Sequence, residues 1–208
     1  MVFLGALMLA PIALAGTSRD VAVVVGNPIR RQTFDHWMAV AAKGDATRQP
    51  GSLVIVPTDP PTFAGCVRQV RRQIPSLRGT PNRTIRADCG ALFKALSSQV
   101  LDFLIRARWY ELRATADGIV ITDAQVKKRF EDNKRSRFKT DRQFRQFLRL
   151  TGQSVTDVMF RVRANITYEA LLRKEHLNAT ALSAEAKRLY KSSTTCAPFY
   201  VMADCVRG

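Results

Sequence analysis

Over residues 91–116 the apolar side chains Leu92, Leu96, Val100, Phe103, Ala107, Tyr110 and Ala114 recur at steps of three and four. That period keeps one apolar face along about 39 Å of α-helix, at 1.5 Å per residue. Leu101, Leu104, Ile105, Trp109 and Leu112 widen the face beyond the stripe of an ordinary surface helix. A rod this apolar is tolerated in water only when several other helices lean on it. The chain is therefore expected to be mainly α, built around one long central helix.

The helices that would cover the rod announce themselves by their first turns. Thr122-Asp123-Ala124-Gln125 and Thr140-Asp141-Arg142-Gln143 have the capping-box form, in which side chains satisfy the free N–H groups of a helix start. Ser154-Val155-Thr156-Asp157 is a related start, and Ser183 is expected to open a last helix. Apolar residues follow each cap: Val126 and Phe130, then Phe144, Phe147 and Leu148, then Val155, Val158, Met159, Val162, Ile166 and Ala170. Gly118 and Gly152 stand where helix ends need a left-handed residue.

Before the rod, the run Val21 to Val25 reads as a strand closed by a Gly26-Asn27-Pro28 turn. Phe34, Trp37, Met38 and Ala41 then mark a short helix over residues 33–43. Residues 44–63 and 74–84 are rich in Pro and Gly and read as loops, with a short basic helix between them at 64–73. After residue 192 the pattern changes. A strand at 199–202 is expected inside the tail, paired with the strand at 21–25. The expected organisation is thus a leader at 1–15, a helical domain at 20–192 and a tail at 193–208.

Residues 1–15 carry no charge, and Ala13-Leu14-Ala15 supplies an A-x-A pattern before Gly16. The segment reads as the apolar region and cleavage site of a secretory signal peptide, although it has no basic residues at its start. It is too short to span a bilayer, which takes about 20 apolar residues. A buried N-terminal helix and an uncleaved anchor are the alternatives. Four cysteines fit an exported protein: Cys66 and Cys89, Cys196 and Cys205, with no C-x-x-C among them. Pairing 66 with 89 and 196 with 205 is the simplest of three connectivities, because each closes a local loop. In the chain-entropy account those loops are worth roughly 3.4 and 2.6 kcal/mol.

Thirty-three Lys and Arg against 17 Asp and Glu give a net charge of +16, so an anionic partner is expected: a nucleic acid, a membrane surface or a cell-envelope polymer. Residues 127–149 interleave bases with Phe130, Phe138, Phe144 and Phe147, a pattern that can stack on single-stranded nucleic acid. The spacing of Phe144, Phe147 and Leu148 is core spacing, however, and favours a solvated basic face over a phenylalanine core. Residues 68–86 hold six Arg and no acid and read as a mobile cationic flap. Dinucleotide-binding, P-loop, nucleophile-elbow and H-E-x-x-H signatures are absent. His36 and His176 are the two histidines; a helix-terminal His such as His176 serves the helix dipole more often than catalysis. Neither a cofactor nor a metal is expected, and catalysis is disfavoured.

VAVVVGNPI at residues 21–29, followed by Phe34-Asp35-His36-Trp37, resembles the strand-turn and first helix of SurA/PrsA-type chaperone-foldases. The resemblance runs on through the long helix, through GIVITDAQVKKRFEDNK at 118–134 and through FRQFLRLTGQSVTDVMFRVR at 144–163. It covers roughly residues 20–190, and the two cysteine pairs look similar to an actinobacterial-type subgroup. It implies a SurA N-terminal-like helical chaperone domain, exported across a membrane, with a peptidyl-prolyl isomerase as the alternative activity. The parvulin isomerase domain that family members usually carry has no counterpart here, because the last helix runs directly into the tail.

The expected function is an exported, non-catalytic folding helper that binds unfolded or nascent polypeptides through accessible apolar surface. Phe138, Phe144, Phe147, Met159 and Phe160 are its candidate client-binding residues. The cationic surround would add attraction to acidic clients or to an anionic membrane or envelope surface. A polyanion or nucleic-acid binder is the remaining alternative.

Overall fold

A computed structural model describes residues 19–48, 51–200 and 202–207. The expected leader at 1–15 lies outside the described residues. Seven α-helices and a small four-stranded sheet make up the described regular structure, together with two single 3₁₀ turns, so the mainly helical reading holds. In chain order these are β1 (Asp20–Val24), β2 (Asn27–Arg30), α1 (Arg31–Arg48), α2 (Ala64–Gln73), α3 (Asn82–Ala116), α4 (Asp123–Arg137), α5 (Asp141–Thr151), α6 (Val155–Glu175), α7 (Ala179–Tyr190), β3 (Thr194–Cys196) and β4 (Val206–Arg207).

The central rod is α3, and its 35 residues run about 52 Å. It begins at Asn82, nine residues before the apolar stripe, because Pro81 occupies the N-cap and fixes an extended entry that frees the helix behind it. Helices α1, α2, α6 and α7 all pack against it, so it is buried on more than one side. Leu96, Val100, Leu101, Leu104, Ile105 and Trp109 are buried.

Two of the expected loops are partly helical. Helix α1 continues through Ala46-Thr47-Arg48, and residues 75–77 form a 3₁₀ turn before α3 starts. The expected cationic flap at 68–86 is instead pinned. Cys66 on α2 is disulfide-bonded to Cys89 on α3, and Arg71 donates to the carbonyls of Arg78 and Thr80 and to Asn82 Oδ1. Gln69 holds the preceding loop by donating to Val54 O and accepting from Val56 N.

The sheet order is β2-β1-β3-β4. Val25 and Gly26 both have positive φ and form the two-residue turn of the β1–β2 hairpin. The first strand does pair with the tail, but the partner is Thr194–Cys196 rather than residues 199–202. Ala22, Val23 and Val24 lie opposite Cys196, Thr195 and Thr194. Two β-branched threonines before Cys196 supply the strand, whereas Phe199 adopts a positive φ and Tyr200 turns inward. The Tyr200 ring packs 5.3 Å from Phe34 and 5.7 Å from Phe93, and the Cys196–Cys205 disulfide closes the loop around it. Buried Thr194 accepts from Trp109 Nε1 and donates to Tyr190 O, tying the tail to the rod.

Helix α7 starts earlier than Ser183. Asn178 caps it by accepting from Ala181 N, because Asn is among the strongest N-cap residues. Ser183 lies inside the helix and accepts from Arg106 Nη1.

Candidate functional site

Helices α4, α5 and α6 form a triangle whose geometry follows from their starts and stops. Thr122 with Gln125, Thr140 with Gln143 and Ser154 with Asp157 each complete a capping box. Gly152, at φ 67°, ends α5 in the left-handed conformation and turns the chain into α6. The triangle encloses its own core of Val126, Phe130, Phe144, Val162 and Ile166, with Phe138, Phe147, Leu148, Val158 and Met159 half-buried around it.

A cleft of about 750 Å³ lies between this triangle and α1, which also packs directly against α5. Phe130, Phe138, Phe144 and Phe147 form one wall, and Val40 and Ala41 of α1 stand opposite. Arg48, Lys134, Arg137 and Arg161 sit around it. Phe138 and Phe144 have ring centroids 5.4 Å apart, and Phe138 and Phe147 are 5.3 Å apart, so the wall is a continuous aromatic surface. The cleft extends toward Leu150 as a shallower depression of about 570 Å³ that shares Thr47, Arg137, Phe138, Phe147 and Thr151.

On the opposite side of α6 lies a groove of about 580 Å³ beneath the β1–β2 hairpin. Leu104, Ala107, Ile119, Ile121 and Phe160 line it, with Arg30, Arg108, Glu111 and Arg163 at its polar parts. Phe160 is 39% exposed and packs at 5.7 Å from both Trp37, tilted, and Phe103, edge to face. The Arg161 guanidinium lies 5.1 Å from the Trp37 ring and 5.4 Å from Phe103, which places a cation over two aromatic faces.

A polar latch joins α1 to the start of α6. His36 Nε2 is 2.8 Å from Asp157 Oδ1, while the other carboxylate oxygen accepts from the Ser154 amide and hydroxyl. Burial raises the cost of that carboxylate's charge, but the hydrogen bonds from Ser154 and His36 outweigh it and hold Asp157 below the usual carboxylate range. His176 adopts a left-handed conformation at the C-cap of α6, as befits a helix-terminal residue. Among the described residues, no group of three His, Cys, Asp or Glu is placed to hold a metal ion.

The candidate client-binding residues therefore fall into three settings. Phe138, Phe144 and Phe147 come together on the cleft wall; Phe144 is buried, and the other two are half-buried. Phe160 belongs to the groove across α6, and Met159 packs against the triangle's core. Sequence reasoning missed Trp37, Phe103, Val40 and Ala41 as parts of these surfaces. Their helical spacing marks them as core, and nothing in the spacing tells which neighbour will leave a gap. Comparison of the chain with family models, curated proteins and solved structures finds no match.

Proposed function

We propose that this chain is an exported, non-catalytic chaperone that holds apolar segments of unfolded polypeptides in the cleft between α1 and the α4–α6 triangle. One observation carries the reading: an open cleft of about 750 Å³ is lined by four phenylalanines, of which Phe138 and Phe147 are only half-buried and stay within reach of solvent. An aromatic patch set in a hollow whose remaining lining is largely polar and cationic suits extended chain of varied sequence rather than one small substrate. The cations around it attract the acidic residues of a client from a distance and set its rate of arrival more than its affinity. Two disulfides are compatible with an oxidising compartment such as the periplasm, the cell envelope or the extracellular space. The resemblance of residues 20–190 to SurA-type chaperone domains points to the same activity.

The test is suppression of aggregation of a denatured protein at low and moderate salt. Protection that persists at moderate salt supports apolar capture. Protection that disappears assigns the effect to charge alone and removes the proposal.

A further inference from the structure

The chain from residue 133 to residue 156 carries seven Lys and Arg but a single acid, Asp141. Asp141 is committed to Lys134, at 2.8 Å, and Asp132 on α4 takes Lys128 and Arg135. Arg137, Lys139, Arg142, Arg145 and Arg149 remain; Arg145 lends Asp141 some charge stabilisation, but none of the five forms an ion pair among the described residues. Positions 142, 145 and 149 fall on one side of α5, because steps of three and four keep residues on one helix face. Phe144 faces the other way, into the triangle's core, and Phe147 turns toward the cleft. Leu150 stands at the edge of that face, where it borders the depression beside Phe147, and is 56% exposed.

We propose that the exposed face of α5, with Arg137 and Lys139 leading into it, is a docking surface for an anionic membrane. Charge complementarity supplies the first argument, since unpaired arginines along a helix face are drawn to anionic headgroups. The choice of lipid over nucleic acid rests on two further features. Phe130 and Phe144 are buried, and Phe138 and Phe147 line a cleft whose lining includes none of Arg142, Arg145 and Arg149, so no ring stands among these arginines to stack on a base. An exposed leucine beside arginines suits an interface in which apolar side chains meet the acyl boundary and cations meet the headgroups. Among the described residues no helix is long and apolar enough to cross a membrane.

Co-sedimentation of the full chain with vesicles tests this. Wild type is expected to bind phosphatidylcholine vesicles that contain phosphatidylglycerol, to ignore pure phosphatidylcholine, and to be released by salt. Arg142→Gln, Arg145→Gln and Arg149→Gln together should weaken binding by about tenfold or more. The same charge removed from α2 and α3, with Arg68→Gln, Arg72→Gln and Arg83→Gln, should leave it within about twofold of wild type. Equal losses from the two triple variants would reduce the effect to net charge and overturn the assignment. Leu150→Ser should weaken vesicle binding while leaving heparin binding unchanged. Heparin bound as tightly as vesicles, with Leu150→Ser affecting neither, would assign the face to soluble polyanions instead. Unchanged thermal unfolding of each variant shows that a lost interaction is not a lost fold.

Discussion

His36 Nε2 and Asp157 Oδ1 lie 2.8 Å apart although 121 residues separate them in the chain. Through this pair the first helix reaches the N-terminus of α6, where Asp157 also completes a capping box with Ser154. The carboxylate thus serves two purposes: it satisfies the Ser154 amide and it positions α6 against α1. Both bear on the cleft, because α1 and the α4–α6 triangle are its two sides.

Asp157 should therefore matter more to stability than His36. Asp157→Ala removes a cap partner and the latch together and is expected to cost about 1–2 kcal/mol. His36→Ala leaves the capping box intact and is expected to cost less than about 1 kcal/mol. Denaturant unfolding of both variants checks the order. The pH dependence follows from the depressed folded pKa of Asp157. Its contribution is present above the unfolded value, near 3.9, and is lost as pH falls through the lower folded value. Asp157→Asn should flatten that part of the acid limb of the stability curve.

Thr194 is buried between two groups that need it. Its hydroxyl accepts from Trp109 Nε1 at 2.9 Å and donates to Tyr190 O at 2.8 Å. Thr194→Val keeps the shape and the strand preference but leaves an indole N–H and a carbonyl without that partner. A loss of about 1–3 kcal/mol is expected, read from denaturant unfolding followed by tryptophan fluorescence.

The tail should behave as part of the fold. Replacing Cys196 and Cys205 with Ser removes a nine-residue closure and is expected to cost about 2–3 kcal/mol. Deleting residues 196–208 should cost more. It also takes away Tyr200, packed between Phe34 and Phe93, and Asp204, which is buried and pairs with Arg106 and Lys187 at 3.0 and 2.7 Å. Thermal unfolding unchanged by the deletion would contradict this role.

The parts of the fold that local chemistry dictates are legible in the sequence. The rod follows from its period, and the starts of α4, α5 and α6 follow from their capping residues. The two disulfides join the cysteine pairs that close local loops. What escaped depends on longer reach. The nine residues of α3 before the stripe extend the apolar face only through Ile85 and Cys89, set among Arg83, Arg86 and Asp88, so the helix signal there is weak. Asn178 was overlooked as a cap because Ser183 stood nearer the apolar run. The strand partner of β1 went to 199–202 because Phe and Tyr are strong strand formers, yet Tyr200 is used as a core ring. The cleft is the least legible feature. Spacing places Val40, Ala41, Phe138 and Phe147 on apolar faces, but it cannot say that α1 and the triangle, which meet along α5, leave a cleft beside that contact.

The central claim is that the cleft wall holds unfolded polypeptide, and site-directed binding addresses it most directly. Affinity for a fluorescent, permanently unfolded polypeptide would be measured for the full chain with Phe138→Ser and Phe147→Ser together. The control is Val126→Ala, which opens the triangle's core without touching the cleft wall and is expected to cost about 2 kcal/mol. The account predicts that the cleft variant binds at least about tenfold more weakly than wild type, while the control binds as wild type does. Equal binding by the cleft variant and wild type, with the variant still folded, would contradict it.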